Sequence, residues 1–191
     1  MIFYNEAAVN RGGDKRFFVT RFPSERFQDD CLAPKFAKIP KVMIGGAISL
    51  ELKGPLIIFE SEMTNARNNV DANCYANHVV PELAQFYNEQ RHEIQYRMGV
   101  EGSTHPDNEP LLLQDNASVH TAAVAQAALN QAGIRTIPDF PPCSLDLNPI
   151  EGVWGLLKRR INSRKPRPIT VDAVKQAMIK EWDALTVDNY E

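Results

Sequence analysis

One segment, residues 110–158, restricts the possible folds of this 191-residue chain more than any other. Its first predicted strand, at residues 111–114, begins with three consecutive leucines, which is typical of a central strand covered on both faces. A helix, a short strand, a proline-rich loop and a second helix follow. Pro149 stands at the predicted first position of that second helix, where proline is favoured. This order of strands and helices predicts an α/β fold with a mixed sheet.

Two carboxylates stand at the ends of these predicted elements. Asp115 follows the apolar strand directly, and Glu151 lies in the first turn of the second helix. By itself Asp115 is also explained as a turn residue at a strand end. Glu151 is also explained by a capping box with Asn148, in which the glutamate serves its own helix. Both interpretations remain open at this level.

Two sequence motifs make the chain recognisable. They are QDNASVHTA at residues 114–122 and PPCSLDLNPIEGVWGLLKRRI at residues 141–161. In this order and at this spacing they closely resemble the catalytic core of mariner-superfamily transposases, the DDE-type enzymes that cut and rejoin DNA. Leu145 stands where the family pattern has its second proline. The resemblance implies one RNase H-like domain over residues 1–191, with a mixed central sheet flanked by helices.

The resemblance also implies a site. Asp115 and Glu151 match two carboxylates that hold two divalent ions, Mg²⁺ or Mn²⁺, for phosphodiester cleavage. The family's first aspartate lies on the opening strand in a segment of the form I-W-S-D-E, and alignment on Glu6 puts that position at Asn5. The predicted catalytic and metal-binding set is therefore Asn5, Asp115 and Glu151.

Asn5 is the main departure from the family pattern. An amide oxygen can bind a metal ion but contributes no charge, and even a loss outside the ligand set costs about 10–100-fold in metal affinity or activity. Glu6 is a poor replacement, because neighbouring side chains of a strand face opposite sides of the sheet. Metal binding and cleavage are therefore expected to be weakened or lost. The alternative is that the alignment slips and Asn5 is an ordinary polar strand residue.

A basic block and one histidine are the candidate contacts to nucleic acid. Six positive side chains lie within residues 158–167: Lys158, Arg159, Arg160, Arg164, Lys165 and Arg167. Lys158 and Gly155 share the helix face of Glu151, whereas Val153, Trp154, Leu157 and Ile161 are predicted to pack inward. A solvated basic helix end is the competing interpretation of the block. His120 is predicted to touch DNA, to orient a carboxylate or to serve the fold.

Residue patterns predict the remaining elements. Strands are expected at residues 1–9, 16–21, 41–50, 54–60 and 134–137, the first two pairing as a hairpin, with a surface loop at 23–40 and a mobile loop at 91–110. Helices are expected after a cap at Thr64 or Asn65, from Thr121 to Gly133, and from Thr170 onward.

Composition limits the partners. The net charge of −3 gives no general affinity for nucleic acid, and no apolar run approaches the roughly 20 residues of a membrane span. Three dispersed cysteines argue against a disulfide framework. With no signal peptide, the nucleus of a eukaryote or otherwise the cytoplasm is the expected location. Family analogy adds DNA and a second copy of the chain as partners, and the helix-turn-helix region that precedes family catalytic domains is expected to be absent.

The leading interpretation is a degenerate DDE transposase catalytic domain that acts on or binds DNA. The second is a non-enzymatic interaction module on the same fold. The third is another RNase H-like nuclease, which cleaves RNA in hybrids. Metal-dependent nicking separates the first from the second, and the choice between duplex DNA and hybrid separates the first from the third.

Overall fold

A computed structural model describes residues 1–10, 41–65, 69–137, 148–166, 168 and 170–187. Its four strands are β1 (Ile2–Asn10), β2 (Lys41–Ser49), β3 (Lys53–Phe59) and β4 (Leu112–Leu113). They form one sheet in the order β3-β2-β1-β4, in which β4 pairs parallel to β1 and the other pairs are antiparallel. The predicted mixed sheet is confirmed.

In the described part of the chain, the antiparallel neighbour of β1 is β2. β2 pairs with β1 over its whole length, from Ile2 to Asn10. The predicted hairpin partner at residues 16–21, the loop at 23–40 and the proline-rich loop at 138–147 lie outside the described residues, as does Arg167. The strands predicted at 41–50 and 54–60 are confirmed as β2 and β3. Of the strand predicted at 134–137, the structure shows one bridge between Leu112 and Thr136.

The longest helical segment, α1, comprises Ala72–Cys74, a π-helical turn at Tyr75–Val79 and Val80–Met98. Asp71 caps its start by accepting a hydrogen bond from the Cys74 backbone N–H at 2.9 Å. The cap predicted at Thr64 or Asn65 is therefore wrong.

The loop predicted at residues 91–110 is also wrong in its first part, because α1 continues to Met98 and ends at Gly99, whose φ is +64°. The polar residues that suggested a loop include Gln90 and Gln95, which are buried. Gln95 donates to the Ser103 carbonyl at 2.7 Å and so holds the following turn against the helix.

The segment after β4 forms two helices, α2 (Ser118–Thr121) and α3 (Ala123–Gln131), instead of the single helix predicted from Thr121. Ala122 between them is extended, with a ψ of 143°. The end at Gly133 is confirmed, since its φ of +68° is a conformation that glycine adopts without a steric penalty.

Two further helices complete the described chain, α4 (Ile150–Ser163) and α5 (Val171–Asp183). The inward face predicted for α4 is confirmed: Val153, Trp154, Leu157 and Ile161 are buried. The helix predicted from Thr170 onward is confirmed as α5, and Thr170 caps it by accepting from the Ala173 N–H at 3.1 Å. No helix in the described part of the chain is both long enough and apolar enough to cross a membrane.

The sheet separates two apolar cores, and β1 contributes alternate side chains to each. Phe3, Ala7 and Val9 face α4 and α5, whereas Ile2 and Tyr4 face α1 and α3. This alternation follows from the two-residue period of a strand. Adjacent residues of β1 therefore act on opposite sides of the sheet.

Gly46 of β2 sets the height of α4 against the sheet. A Cβ atom at Gly46 would lie 2.8 Å from the Trp154 ring and 3.1 Å from the Trp182 ring, so only glycine admits this stack. The two indoles stack with centroids 5.5 Å apart. Because Gly46 pairs with Asn5 in register, Trp154 fixes the start of α4 beside Asn5.

Candidate active site

Asn5 and Glu151 meet directly. Asn5 is only 5% exposed, and its Nδ2 donates to Glu151 Oε1 at 2.5 Å, while its Oδ1 accepts from the Glu6 N–H at 2.7 Å. Asn148 ties the start of α4 to β1 by donating to the Tyr4 carbonyl at 3.1 Å. The Glu151 carboxylate thus reaches across to β1, and not back to Asn148 as the capping-box interpretation requires.

Asp115 lies at the end of the strand and is held on one side. Its Oδ1 accepts from the Ala117 N–H at 3.0 Å and from His120 Nδ1 at 2.8 Å. The hydrogen bond from the Ala117 N–H stabilises the turn, which is the alternative role that the sequence predicted for Asp115. With the described residues Oδ2 makes no hydrogen bond, and the side chain is 41% exposed. One oxygen of Asp115 is therefore fixed, and the other has no hydrogen bond from the described residues.

His120 lies between two carboxylates. It is 1% exposed, and its Nε2 is 3.1 Å from Glu6 Oε1 on the side opposite Asp115. Burial lowers the pKa of His120, but the hydrogen bonds and charges of Asp115 and Glu6 outweigh it and raise the pKa to about 10. The ring is therefore an imidazolium that donates from both nitrogens. It offers no surface to DNA here, and its contacts are those of a group that orients a carboxylate.

The two acidic groups respond differently to this arrangement. The hydrogen bond from His120 lowers the pKa of Asp115. Burial raises the pKa of Glu151; the charge of Asp115 adds to this increase, whereas the charge of Lys158 opposes it. Glu151 is therefore in contact with Asn5 and also feels the charge of Asp115.

The donor set fits a divalent ion in part. Mg²⁺ prefers oxygen ligands and is commonly held by one or two carboxylates together with water. Asp115 and Glu151 each have one oxygen without a described hydrogen bond, whereas the Asn5 oxygen is occupied by the Glu6 N–H. No group of three histidine, cysteine or acidic side chains placed to hold a metal occurs within the described ranges. The chemistry suits an ion on two carboxylates and lacks the third.

The basic residues divide into two groups. Arg159 and Lys165 are exposed, and Lys158 is half-buried on the face of Glu151. Arg164 forms an ion pair with Glu181 of α5 at 2.7 Å, and Arg160 approaches the same carboxylate at 4.0 Å. The arginines of the second group thus tie α4 to α5.

Sequence reasoning missed the part played by Glu6. It correctly expected Glu6 to face away from Asn5, but not that the far side holds His120 and, through it, Asp115. The five-residue spacing from Asp115 to His120 was the available signal. Glu6 was not identifiable as its partner, because the two are 114 positions apart.

Comparison with known proteins agrees with the family resemblance of the sequence. Residues 57–174 match the DDE superfamily endonuclease family, a range that includes Asp115 and Glu151 but not Asn5. The transposable element Tc3 transposase of Caenorhabditis elegans is 33% identical over 72 residues. That match covers 38% of this chain and 22% of the relative, so the chain spans about a fifth of the curated relative.

Solved structures show the fold. The catalytic domain of Mos1 mariner transposase superposes with a TM-score of 0.62 at 17% identity, covering 99% of this chain and 72% of that one. The Mos1 paired end complex with Mn gives 0.67 at 16% identity, covering 99% and 49%. The expected RNase H-like fold is confirmed. On the family match over residues 57–174, more than half of its length, the chain belongs to the DDE superfamily endonucleases.

Proposed function

We propose that this chain is a transposase-derived catalytic domain that binds DNA and whose metal-dependent cleavage is weakened by Asn5. The observation that carries the proposal is the contact of Asn5 with Glu151, a carboxylate whose pKa the charge of Asp115 also raises. An amide thus stands among the acidic residues at the position that the family pattern gives to an aspartate. The similar fold and the family match support the other parts of the proposal, which are the transposase-derived catalytic domain and DNA binding.

In this proposal Asp115 and Glu151 hold Mg²⁺ or Mn²⁺. A bound pair of such ions supplies an activated oxygen nucleophile and stabilises the leaving oxygen. Asn5 donates its N–H to Glu151 and so satisfies one carboxylate oxygen without any ion. That hydrogen bond lowers the pKa of Glu151 against the larger effects of burial and of Asp115. Asn5 therefore reduces both the charge and the number of oxygens offered to metal.

DNA is the proposed partner. The similar Mos1 transposase is known as a paired-end complex with the left transposon end and as a strand transfer complex. For this chain, the exposed Arg159 and Lys165 and the half-buried Lys158 are the proposed phosphate contacts. Arg160 and Arg164 also contact Glu181, so their contribution to DNA binding is expected to be smaller. A second copy of the chain and a nuclear location in a eukaryotic host belong to the same proposal.

A non-catalytic DNA-binding or interaction module on the same fold is the second candidate. One observation favours it: both ends of the Asn5 amide are already bonded, to Glu151 and to the Glu6 N–H. The Asn5 amide is thus satisfied without metal, as a domain kept for binding alone would allow.

Nicking of supercoiled plasmid DNA in Mn²⁺ tests the proposal. The parent should nick little or not at all while binding duplex DNA, and Asn5→Asp should gain nicking. The double variant Asn5→Asp with Asp115→Asn is the matched control, since it has the parent's net charge but lacks the second carboxylate. Preference for an RNA–DNA hybrid would favour the nuclease alternative. Absence of DNA binding in the parent would contradict the proposal.

A further inference from the structure

A chain of polar contacts runs beneath the candidate site and is not itself part of it. The Tyr4 hydroxyl donates to Glu6 Oε1 at 2.9 Å, and the same oxygen lies 3.1 Å from His120 Nε2. On the other side of the ring, Nδ1 lies 2.8 Å from Asp115 Oδ1 and 3.1 Å from the Asp115 carbonyl. A single imidazole thus joins the side of β1 opposite Asn5 to the end of β4.

The geometry points to Glu6 and His120 as a positioning pair that holds the Asp115 carboxylate in one rotamer, with Oδ1 bonded and Oδ2 left for a ligand. Neither residue is a catalytic residue in this arrangement, because His120 is fully buried and Glu6 reaches Asp115 only through it. The inference concerns the site of the proposed function and rests on that function for its purpose.

Asp115 needs such a support because it is 41% exposed and follows a strand of only two residues. An exposed aspartate samples the staggered wells of χ1 unless its contacts select one. The Ala117 N–H at 3.0 Å is one contact, but it belongs to the same turn and moves with Asp115. His120 provides the contact that holds the Asp115 side chain in place relative to the sheet.

The ring itself cannot readily turn away. Tyr75 and Tyr4 pack against it, with ring centroids 4.9 Å and 5.9 Å from the imidazole. Gln126 donates to the His120 carbonyl at 2.7 Å, which fixes the backbone. Two carboxylate acceptors, one on each side, then determine the orientation of the ring. Outer-shell partners of this kind typically change metal affinity or activity by about 10–100-fold when removed.

NMR three-bond couplings that report χ1 of Asp115, measured on the metal-free chain, test the inference. The parent should show one dominant rotamer. His120→Leu, which keeps bulk but removes both donors, should show averaging over the staggered wells. His120→Gln should retain the dominant rotamer, because its amide can still donate to Asp115. Tyr75→Phe is the control: it keeps the aromatic ring against His120, removes only the hydroxyl that donates to Gln114 Oε1 at 2.6 Å, and should leave the Asp115 rotamer unchanged.

A single Asp115 rotamer in folded His120→Leu would overturn the inference, as would equal averaging in Tyr75→Phe. Should His120→Leu not fold, Glu6→Leu decides in the same way, since it removes the far acceptor and leaves the ring. The measurement requires neither metal nor DNA, so it succeeds or fails independently of the proposed function. A second readout, Mn²⁺ binding by electron paramagnetic resonance in the Asn5→Asp background, should weaken about 10–100-fold with His120→Leu.

Discussion

Replacing Asn5 by aspartate changes one contact in a way that the structure allows to be quantified. The substitution removes the N–H that Nδ2 donates to Glu151 and places a second carboxylate there. At about 3 Å and an effective dielectric constant near 20, the repulsion is about 5 kcal/mol. Protonation of one of the two carboxyls avoids part of this repulsion. Protonating a carboxyl whose ordinary pKa is near 4 costs about 4 kcal/mol at pH 7.

The metal-free variant should therefore lose up to about 4 kcal/mol of unfolding free energy, which for a chain of this size lowers Tm by about 8–16 °C. The sign of the pH dependence follows from the raised pKa of the pair. A carboxyl with a raised folded-state pKa destabilises the protein above its unfolded pKa. The deficit should then be small near pH 4 and grow as the pH rises through 5 to 7.

Metal should reverse this deficit. At least tenfold tighter binding corresponds to about 1.4 kcal/mol, so Mn²⁺ should raise the Tm of Asn5→Asp by about 3–6 °C more than it raises the parent's. Thermal shift with a Mn²⁺ titration measures both effects. Asn130→Asp, which adds the same charge on the exposed end of α3, should behave like the parent. Equal metal-induced stabilisation of parent and Asn5→Asp would show that Asn5 is not at a metal site.

Three further outcomes are expected. If four to six basic residues contact phosphates, log K for duplex DNA should fall with log salt at a slope of about −4 to −5. Alanine at residues 158–160 should flatten that slope by up to about three units. An unchanged slope would show that the basic block is a solvated helix end. Gly46→Ala should cost about 1–3 kcal/mol by urea unfolding, because its Cβ meets Trp154 at 2.8 Å; an unaltered midpoint would contradict that packing. The raised pKa of His120, about 10 against about 6.5 unfolded, gives stability that is full below about pH 6.5 and is lost as the pH rises through 10. His120→Gln should lack that decline in a series of urea midpoints against pH, and an identical decline would refute it.

The sequence predicted the positions of the acidic residues because they are tied to element ends. An apolar run dictates where the strand stops, so Asp115 follows from local pattern, and Pro149 dictates where α4 starts, so Glu151 follows as well. Placing Asn5 beside them needed the family resemblance, since nothing in the local sequence says which strand lies next to β4.

Other features depended on tertiary structure. Gln90 and Gln95 are both buried in α1, which their polarity does not suggest, and the Gln95 amide donates to the Ser103 carbonyl, a partner that a sequence pattern does not show. The contact of Glu6 with His120 depends on a parallel pairing of only two residues, Ile2 and Phe3 with Leu112 and Leu113. Such short pairing leaves no periodic signal, yet it brings the two ends of the contact together.

The alternation of side chains along β1 bears on how this lineage can change. Asn5 faces Glu151, and Glu6, its immediate neighbour, faces the buried ring on the far side. A substitution at Asn5 therefore alters the ligand position while the support of Asp115 stays as it was. Asparagine and aspartate codons differ by one transition in their first base. On the proposed function, loss and recovery of an acidic residue at position 5 are thus a single mutational step apart, and the contact between Glu6 and His120 is independent of either step.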